Sequence, residues 1–153
     1  MRPPWNDYFM SIAYLVSTRA TCDRKKVGAV LVKGHRMVAS GYNGSPAGMP
    51  HCDDVGHELK KIEGRDSCIR TLHAESNAID FAGRDAEGCT LFTTVVPCYD
   101  CAKRIINARI THVLYDEYYQ SRSTELVNDL FNQAGVPLER WQGELVAVTR
   151  PPR

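Results

Sequence analysis

The sequence has no apolar run near the ~18 residues that a membrane-spanning helix needs. Its first residues also lack the charged-then-apolar order of a secretion signal. Both absences lead us to expect a cytosolic protein. Little charge of either sign is left over, because the formal net charge is +1. No broad electrostatic footprint for nucleic acid or an anionic membrane is therefore expected. Low-complexity tracts, internal repeats and linker-like stretches are missing too, and only the ends, 1–4 and 150–153, are Pro-rich. With 43% hydrophobic and 24% charged residues, disorder is not expected outside those ends. A length of 153 residues suits one domain with one hydrophobic core. Cysteine, by contrast, is plentiful at six residues, and a reducing cytosol favours metal binding or catalysis over disulfides.

The periodicities outline the elements. After Pro3 and Pro4, Phe9, Ile12, Ala13 and Val16 recur at helical spacing, so 6–19 reads as an amphipathic helix. "VGAVLV" (27–32) and "MVASGY" (37–42) are short β-type runs around Lys33-Gly34, hence a hairpin. Residues 43–71 are loop-rich, and a stretch that long is usually functional or braced by a metal. "HAESNAIDFA" (73–82) predicts a helix stopped by Gly83. A strand over 89–96, a helix over 101–108, a strand over 111–116, a helix over 123–133 and a last strand over 144–149 follow. Strands alternating with helices after an initial hairpin predict a three-layer α/β/α domain around a mixed sheet of about five strands.

The chemistry gathers at two helix starts. "VVPCYDC" (95–101) places Cys98 and Cys101 three apart behind Pro97. Such a pair serves as a redox disulfide, half of a structural zinc site or half of a catalytic one. Cysteines so spaced in a first helical turn face the same way, and the positive helix end favours their thiolates. His73 and Glu75 open the preceding helix. One histidine and two cysteines are ligands that zinc takes tetrahedrally, with a fourth position left for water. Glu75 need not bind the metal and could handle protons beside that water. A closed architectural zinc would need a fourth protein ligand, and a redox pair would leave His73 and Glu75 unexplained.

H-A-E followed by P-C-x-x-C matches the H-x-E…P-C-x-x-C signature of the zinc deaminases of cytosine and adenine bases. "VGAVLV", "SGYNGSPAG", "HCDD", "HAESNAI" and "PCYDCAKRIINA" together resemble the deoxycytidylate (dCMP) deaminases of phages and bacteria, over roughly 6–140. The resemblance implies a cytidine-deaminase-like fold over a single domain, 1–153. It also implies hydrolysis of dCMP to dUMP and ammonia, which supplies dUMP for thymidylate synthesis. Zn²⁺ would sit on His73, Cys98 and Cys101, while Glu75 moves a proton from water to N3 and then to the leaving amino group. A monophosphate needs a fixed cation. Of Arg19, Arg24, Lys25 and Lys26, the resemblance selects Arg24, although four cations in eight residues also make an ordinary solvated surface. Asn43 would bond the sugar or base, unless "YNGSP" is only a tight turn. Ala74 and Pro97, inside the two motifs, join the substrate-binding set. So do Tyr118 and Tyr119, which in the alternative are surface aromatics.

Members of this family carry an effector site, activated by dCTP and inhibited by dTTP, usually with Mg²⁺ and in a homo-hexamer. The resemblance places it around Tyr42, Asn43, Gly44, Gly48, Asp53 and Asp54, with Arg84 at an effector-sensitive subunit contact. Cys22, Cys52, His57 and Cys68 remain. They would make a Cys3His set suited to a second, structural zinc; the alternative is independent buried thiols and a surface histidine. Cys89 reads as a packed thiol. The rivals are a tRNA adenosine, cytidine or guanine deaminase, and a zinc-stabilised interaction protein without catalysis, such as a DNA-uptake accessory.

Overall fold

The computed structural model describes residues 1–62, 64–119 and 124–153. Helix α1 (Trp5–Ser17) leads into the hairpin β1 (Gly28–Lys33) and β2 (Arg36–Tyr42). A single helical turn, α2 (Cys52–Val55), and a small hairpin, β3 (Leu59–Ile62) and β4 (Arg65–Cys68), follow. Then come α3 (Ala74–Ala82), a 3-10 turn (Gly83–Ala86), β5 (Thr90–Val95), α4 (Tyr99–Asn107), β6 (His112–Glu117), α5 (Thr124–Ala134) and β7 (Leu138–Arg140). The main sheet has the order β2-β1-β5-β6-β7. β1 runs antiparallel to both neighbours, whereas β5, β6 and β7 are parallel. The mixed five-stranded sheet between helices is the expected three-layer architecture.

Alternation along the strands builds both cores. Ala29, Leu31, Leu91 and Val113 face the side covered by α3, α4 and α5. Val30, Val32, Phe92 and Leu114 face the other side, where Phe9, Met10 and Ala13 of α1 cover them with Trp141. Residues one apart on a strand point to opposite faces, so a sheet buried on both sides needs continuous apolar runs. "GAVLV" is such a run. Two glycines let helices approach the sheet closely. A Cβ on Gly28 would lie 1.9 Å from the carbonyl of Ala13, and one on Gly41 2.3 Å from the carbonyl of Ala74. The second contact fixes the start of α3, which carries His73 and Glu75.

Three expectations need correction. Residues 144–149 form no strand; the fifth strand is β7, three residues long. The tail instead lies along α1, where Trp141 Nε1 donates to Asp7 Oδ1 at 2.9 Å and the Val146 N–H to Ser11 Oγ at 2.8 Å. The Glu144 N–H also points to Asp7 Oδ2, so side-chain acceptors on the helix take the Glu144 and Val146 backbone donors that a ladder would have used. Residues 43–71 are also more ordered than loop-rich composition suggests, since they hold α2 and the β3–β4 hairpin. Helix α4 begins at Tyr99, two residues early, because Cys98 caps it. The helix expected over 123–133 is α5, and residue 123 lies outside the described residues. Among the described residues no helix is long and apolar enough to cross a membrane.

Candidate active site

His73 and Cys98 are the N-cap residues of α3 and α4, both in extended backbone conformation. Extended geometry at a cap turns the side chain toward the exposed N–H groups of the first turn. Cys98 Sγ accepts the Cys101 N–H at 3.4 Å, which sets the sulfur against the positive helix end. Pro97 is buried just before it, and its fixed φ enters the cap without a donor to satisfy. Helices α3 and α4 pack against each other, so the two N-termini converge. His73 Nδ1 lies 3.3 Å from Cys101 Sγ and 3.5 Å from Cys98 Sγ.

Cys101 is buried, Cys98 half-buried and His73 exposed. The Cys98 thiol is lowered to about 3, chiefly by its hydrogen bond with Cys101 and then by His73, against the opposing effect of burial. Cys101 moves upward for the reciprocal reason, with burial and the nearby Glu75 adding to it. A divalent cation bound beside them would hold both sulfurs as thiolates. Among the described residues this cluster has three donors and no fourth. Two thiolates and one imidazole, open on the pocket side, fit zinc with a position left for a non-protein ligand.

Glu75 is 1% exposed. Thr93 Oγ1 donates to its Oε1 at 3.1 Å. The carboxylate also lines a cavity of about 670 Å³ shared with His73 and Cys98. A carboxylate held at one oxygen and otherwise buried beside a cation site is placed to carry protons. Thr93 could not be singled out from the sequence, because threonine is an ordinary strand residue. Its one signal is full burial, which only the fold reveals.

Arg24, Asn43, Ala74 and Tyr119 line the same cavity, as do Lys25, Asp66 and Ser67, which sequence reasoning passed over. Arg24 Nη2 donates to the Asp66 carbonyl at 3.3 Å. Lys25 is instead held by Glu117, whose neighbour Asp116 bonds the Tyr14 hydroxyl. Burial and those two carboxylates push the Tyr14 phenol well above its usual range. Asn43 is buried and braces the loop, with Oδ1 accepting the Val27 N–H at 2.8 Å and Nδ2 donating to the Lys25 carbonyl at 2.7 Å. Tyr118 is not brought to the cavity. It lies under the Arg140 guanidinium, 4.5 Å from the ring centre, and edge-on to Tyr115. Arg19 and Lys26 lie outside the lining, as does Pro97. The last two residues of the 115–121 stretch lie outside the described residues.

Of the residues expected at an effector site, only Asn43 reaches this cavity. Gly44 pairs with Leu72, while Asp53 and Asp54 are exposed on α2. Arg84 is exposed in the 3-10 turn beyond the far end of α3.

The four remaining cysteine and histidine candidates do meet. Ligand atoms of Cys22, Cys52, His57 and Cys68 all lie within 4.8 Å of one another. Cys22 Sγ is 3.4 Å from His57 Nδ1, and Cys52 Sγ is 3.5 Å from Cys68 Sγ. His57 Nε2 contacts Asp23 Oδ1 at 2.9 Å, which leaves Nδ1 directed at the sulfurs. Burial raises Cys52 to about 12. Cys68 is also raised by burial, but the Arg70 and Glu58 N–H groups, Cys52 and His57 together bring it to about 7. A Cys3His set supplies four protein donors, the number that a closed structural zinc takes. Cys89 is a packed thiol, bonded to the Asp85 carbonyl at 3.2 Å and raised by burial.

A family model described as the cytidine and deoxycytidylate deaminase zinc-binding region matches residues 3–117. The ComE operon protein 2 of Bacillus subtilis is 44% identical over 142 residues, covering 91% of this chain and 72% of that one. The deoxycytidylate deaminase of Schizosaccharomyces pombe is 36% identical over 92% of this chain, which spans 45% of the yeast protein's length. The dCMP deaminase of cyanophage S-TIM5, solved in complex with dCMP and dUMP, superposes with a TM-score of 0.75 at 33% identity. It covers 92% of this chain and 99% of its own.

Proposed function

The chain belongs to the cytidine and deoxycytidylate deaminase family, and on that premise we propose that it hydrolyses dCMP at C4 to dUMP and ammonia. The observation that carries this reading is the buried Glu75 carboxylate beside an open three-ligand cluster, on a cavity that also receives Arg24. The nucleotides bound by the cyanophage relative support the same substrate.

His73, Cys98 and Cys101 would hold the catalytic zinc. Bound there, zinc supplies the Lewis acidity that makes water nucleophilic at neutral pH. Glu75 takes a proton from the attacking water and delivers it to N3, which makes C4 electrophilic as the water oxygen bonds to it. The carboxylate then takes the second proton from the new C4 hydroxyl and gives it to the amino nitrogen; the C4–N bond breaks, N3 keeps its proton, and water and dCMP become dUMP and ammonia. Thr93 pins Oε1 and leaves the other oxygen to move the proton. Arg24 takes the 5′-phosphate, for which a planar guanidinium is suited. Asn43 keeps one amide N–H and one lone pair beyond its two loop bonds, and these meet the sugar or base. Ala74 and Tyr119 bound the base.

Residues 1–153 act as one domain in this reading. A second zinc on Cys22, Cys52, His57 and Cys68 is structural. Regulation by dCTP and dTTP with Mg²⁺, at the exposed Asp53 and Asp54 and the nearby Tyr42, Gly44 and Gly48, belongs to the same reading. So do a homo-hexamer with Arg84 at a subunit contact, and a cytoplasmic location.

The test is ammonia release from dCMP, cytidine, dCTP and guanine by zinc-loaded protein, with and without dCTP or dTTP as effector. Release from dCMP alone, stimulated by dCTP, is expected. Release from guanine or cytidine in preference would reassign the substrate, and no release from any of them would overturn the enzymatic reading.

A further inference from the structure

The closed cluster and the cavity share residues. Cys22 and Cys68 each belong to the cluster and line the cavity that His73 and Glu75 line. Arg24 lies two residues after Cys22, and the Asp66 carbonyl that receives its guanidinium lies two residues before Cys68. Cluster, loop and strand β4 thus form a closed ring with Arg24 as one of its links. Asp23, between Cys22 and Arg24, holds His57 at 2.9 Å.

Among the described residues, little else fixes the β3–β4 hairpin. The β3 side chains are all exposed, and the pair forms a sheet of its own. A two-stranded hairpin by itself is marginal in water. Both ends of the loop that carries Cys22 and Arg24 are secured on Asn43, since the Thr21 N–H donates to the Asn43 carbonyl and the Lys25 carbonyl accepts from the Asn43 amide. The cluster therefore supplies the tie from the hairpin to that loop.

We propose that the Cys22–Cys52–His57–Cys68 cluster, with Asp23 orienting His57, is the positioning device for Arg24 and so sets the preference for a 5′-phosphorylated substrate over the bare nucleoside. The inference rests on the reading of Arg24 as the phosphate ligand and of the cluster as a metal site. It assigns Asp23 and the hairpin a part in substrate selection.

Binding separates the two levels. The Glu75→Gln protein binds ligand without consuming it, so calorimetric titration with dCMP and with deoxycytidine can be compared across variants made in it. Zinc per chain is measured on each. Arg24→Ala is expected to weaken dCMP ~10-fold or more and deoxycytidine little, as loss of a charge-assisted phosphate contact requires. His57→Ala should lose one zinc and reproduce that selective loss. Asp23→Ala should give a smaller selective loss, restored by Asp23→Asn, whose amide oxygen still accepts from His57. Equal weakening of both ligands by His57→Ala, or no weakening after the zinc is gone, overturns the inference. If His57→Ala does not fold, the Asp23 pair decides: no selective loss in Asp23→Ala, or none restored by Asn, overturns it. Absence of a selective loss in Arg24→Ala overturns the phosphate reading itself.

Discussion

The two cysteine–histidine clusters differ by one ligand and one carboxylate. His73, Cys98 and Cys101 stand on two helix N-termini, rigid elements whose ends favour thiolate, and they leave a side open to the cavity. Cys22, Cys52, His57 and Cys68 come from the loop before β1, the single turn α2, the loop after it and the end of β4, and they bring four donors together. Only the first has a buried carboxylate at hand, Glu75, steadied by Thr93. The second has Asp23, which is exposed and engaged with His57. Ligand count and the neighbouring acid therefore separate a site that can do chemistry from one that can only hold chain segments together.

Substitutions of like size should have unlike effects on the two sides. Cys101→Ser should lose the zinc of the open cluster and all measurable turnover of dCMP, seen as one zinc per chain and no ammonia. Cys52→Ser should also leave one zinc, yet still turn over saturating dCMP. Its expected penalty is a melting temperature lower by at least ~2–4 °C, the size of roughly 1 kcal/mol in a domain of this length. If Cys52→Ser abolishes turnover while the protein stays folded, the division between the clusters fails. Thr93→Val sharpens the comparison further. It keeps shape and removes the hydrogen bond to Glu75, so kcat should fall ~10-fold, the size of one buried hydrogen bond to a charged group, with zinc content unchanged. The smallest contrast is Tyr119→Ala against Tyr118→Ala. The first should raise KM a few-fold. The second removes a cation–π contact worth ~0.5–1 kcal/mol and should change stability slightly and KM not at all.

Much of the catalytic side is legible in the sequence because its residues stand at helix starts at short, fixed spacings. H-A-E and P-C-x-x-C each become one N-cap and its first turn, and the helices behind them are amphipathic. The closed cluster is less legible, because its spacings follow loop geometry and only the fold shows that Cys22 and Cys68 meet. The hairpin β3–β4 was hidden for a related reason: "LKKI" is exposed on every residue and shows no alternation. The segment 144–149 misled in the opposite sense. Its apolar residues suit a strand, but Asp7 and Ser11 of α1 capture the tail's backbone donors. Tyr118 and Tyr119 are neighbours of one type, and only the position of Arg140 on β7 separates them.

The central claim is that Glu75 is the proton carrier of a dCMP hydrolase. Its most direct measurement is ammonia release from dCMP by zinc-loaded protein beside its Glu75→Gln form, with zinc determined in both. The account predicts equal zinc and a kcat lower by ~10³-fold in the variant, as loss of a general acid–base requires. Comparable turnover in the two proteins would contradict it.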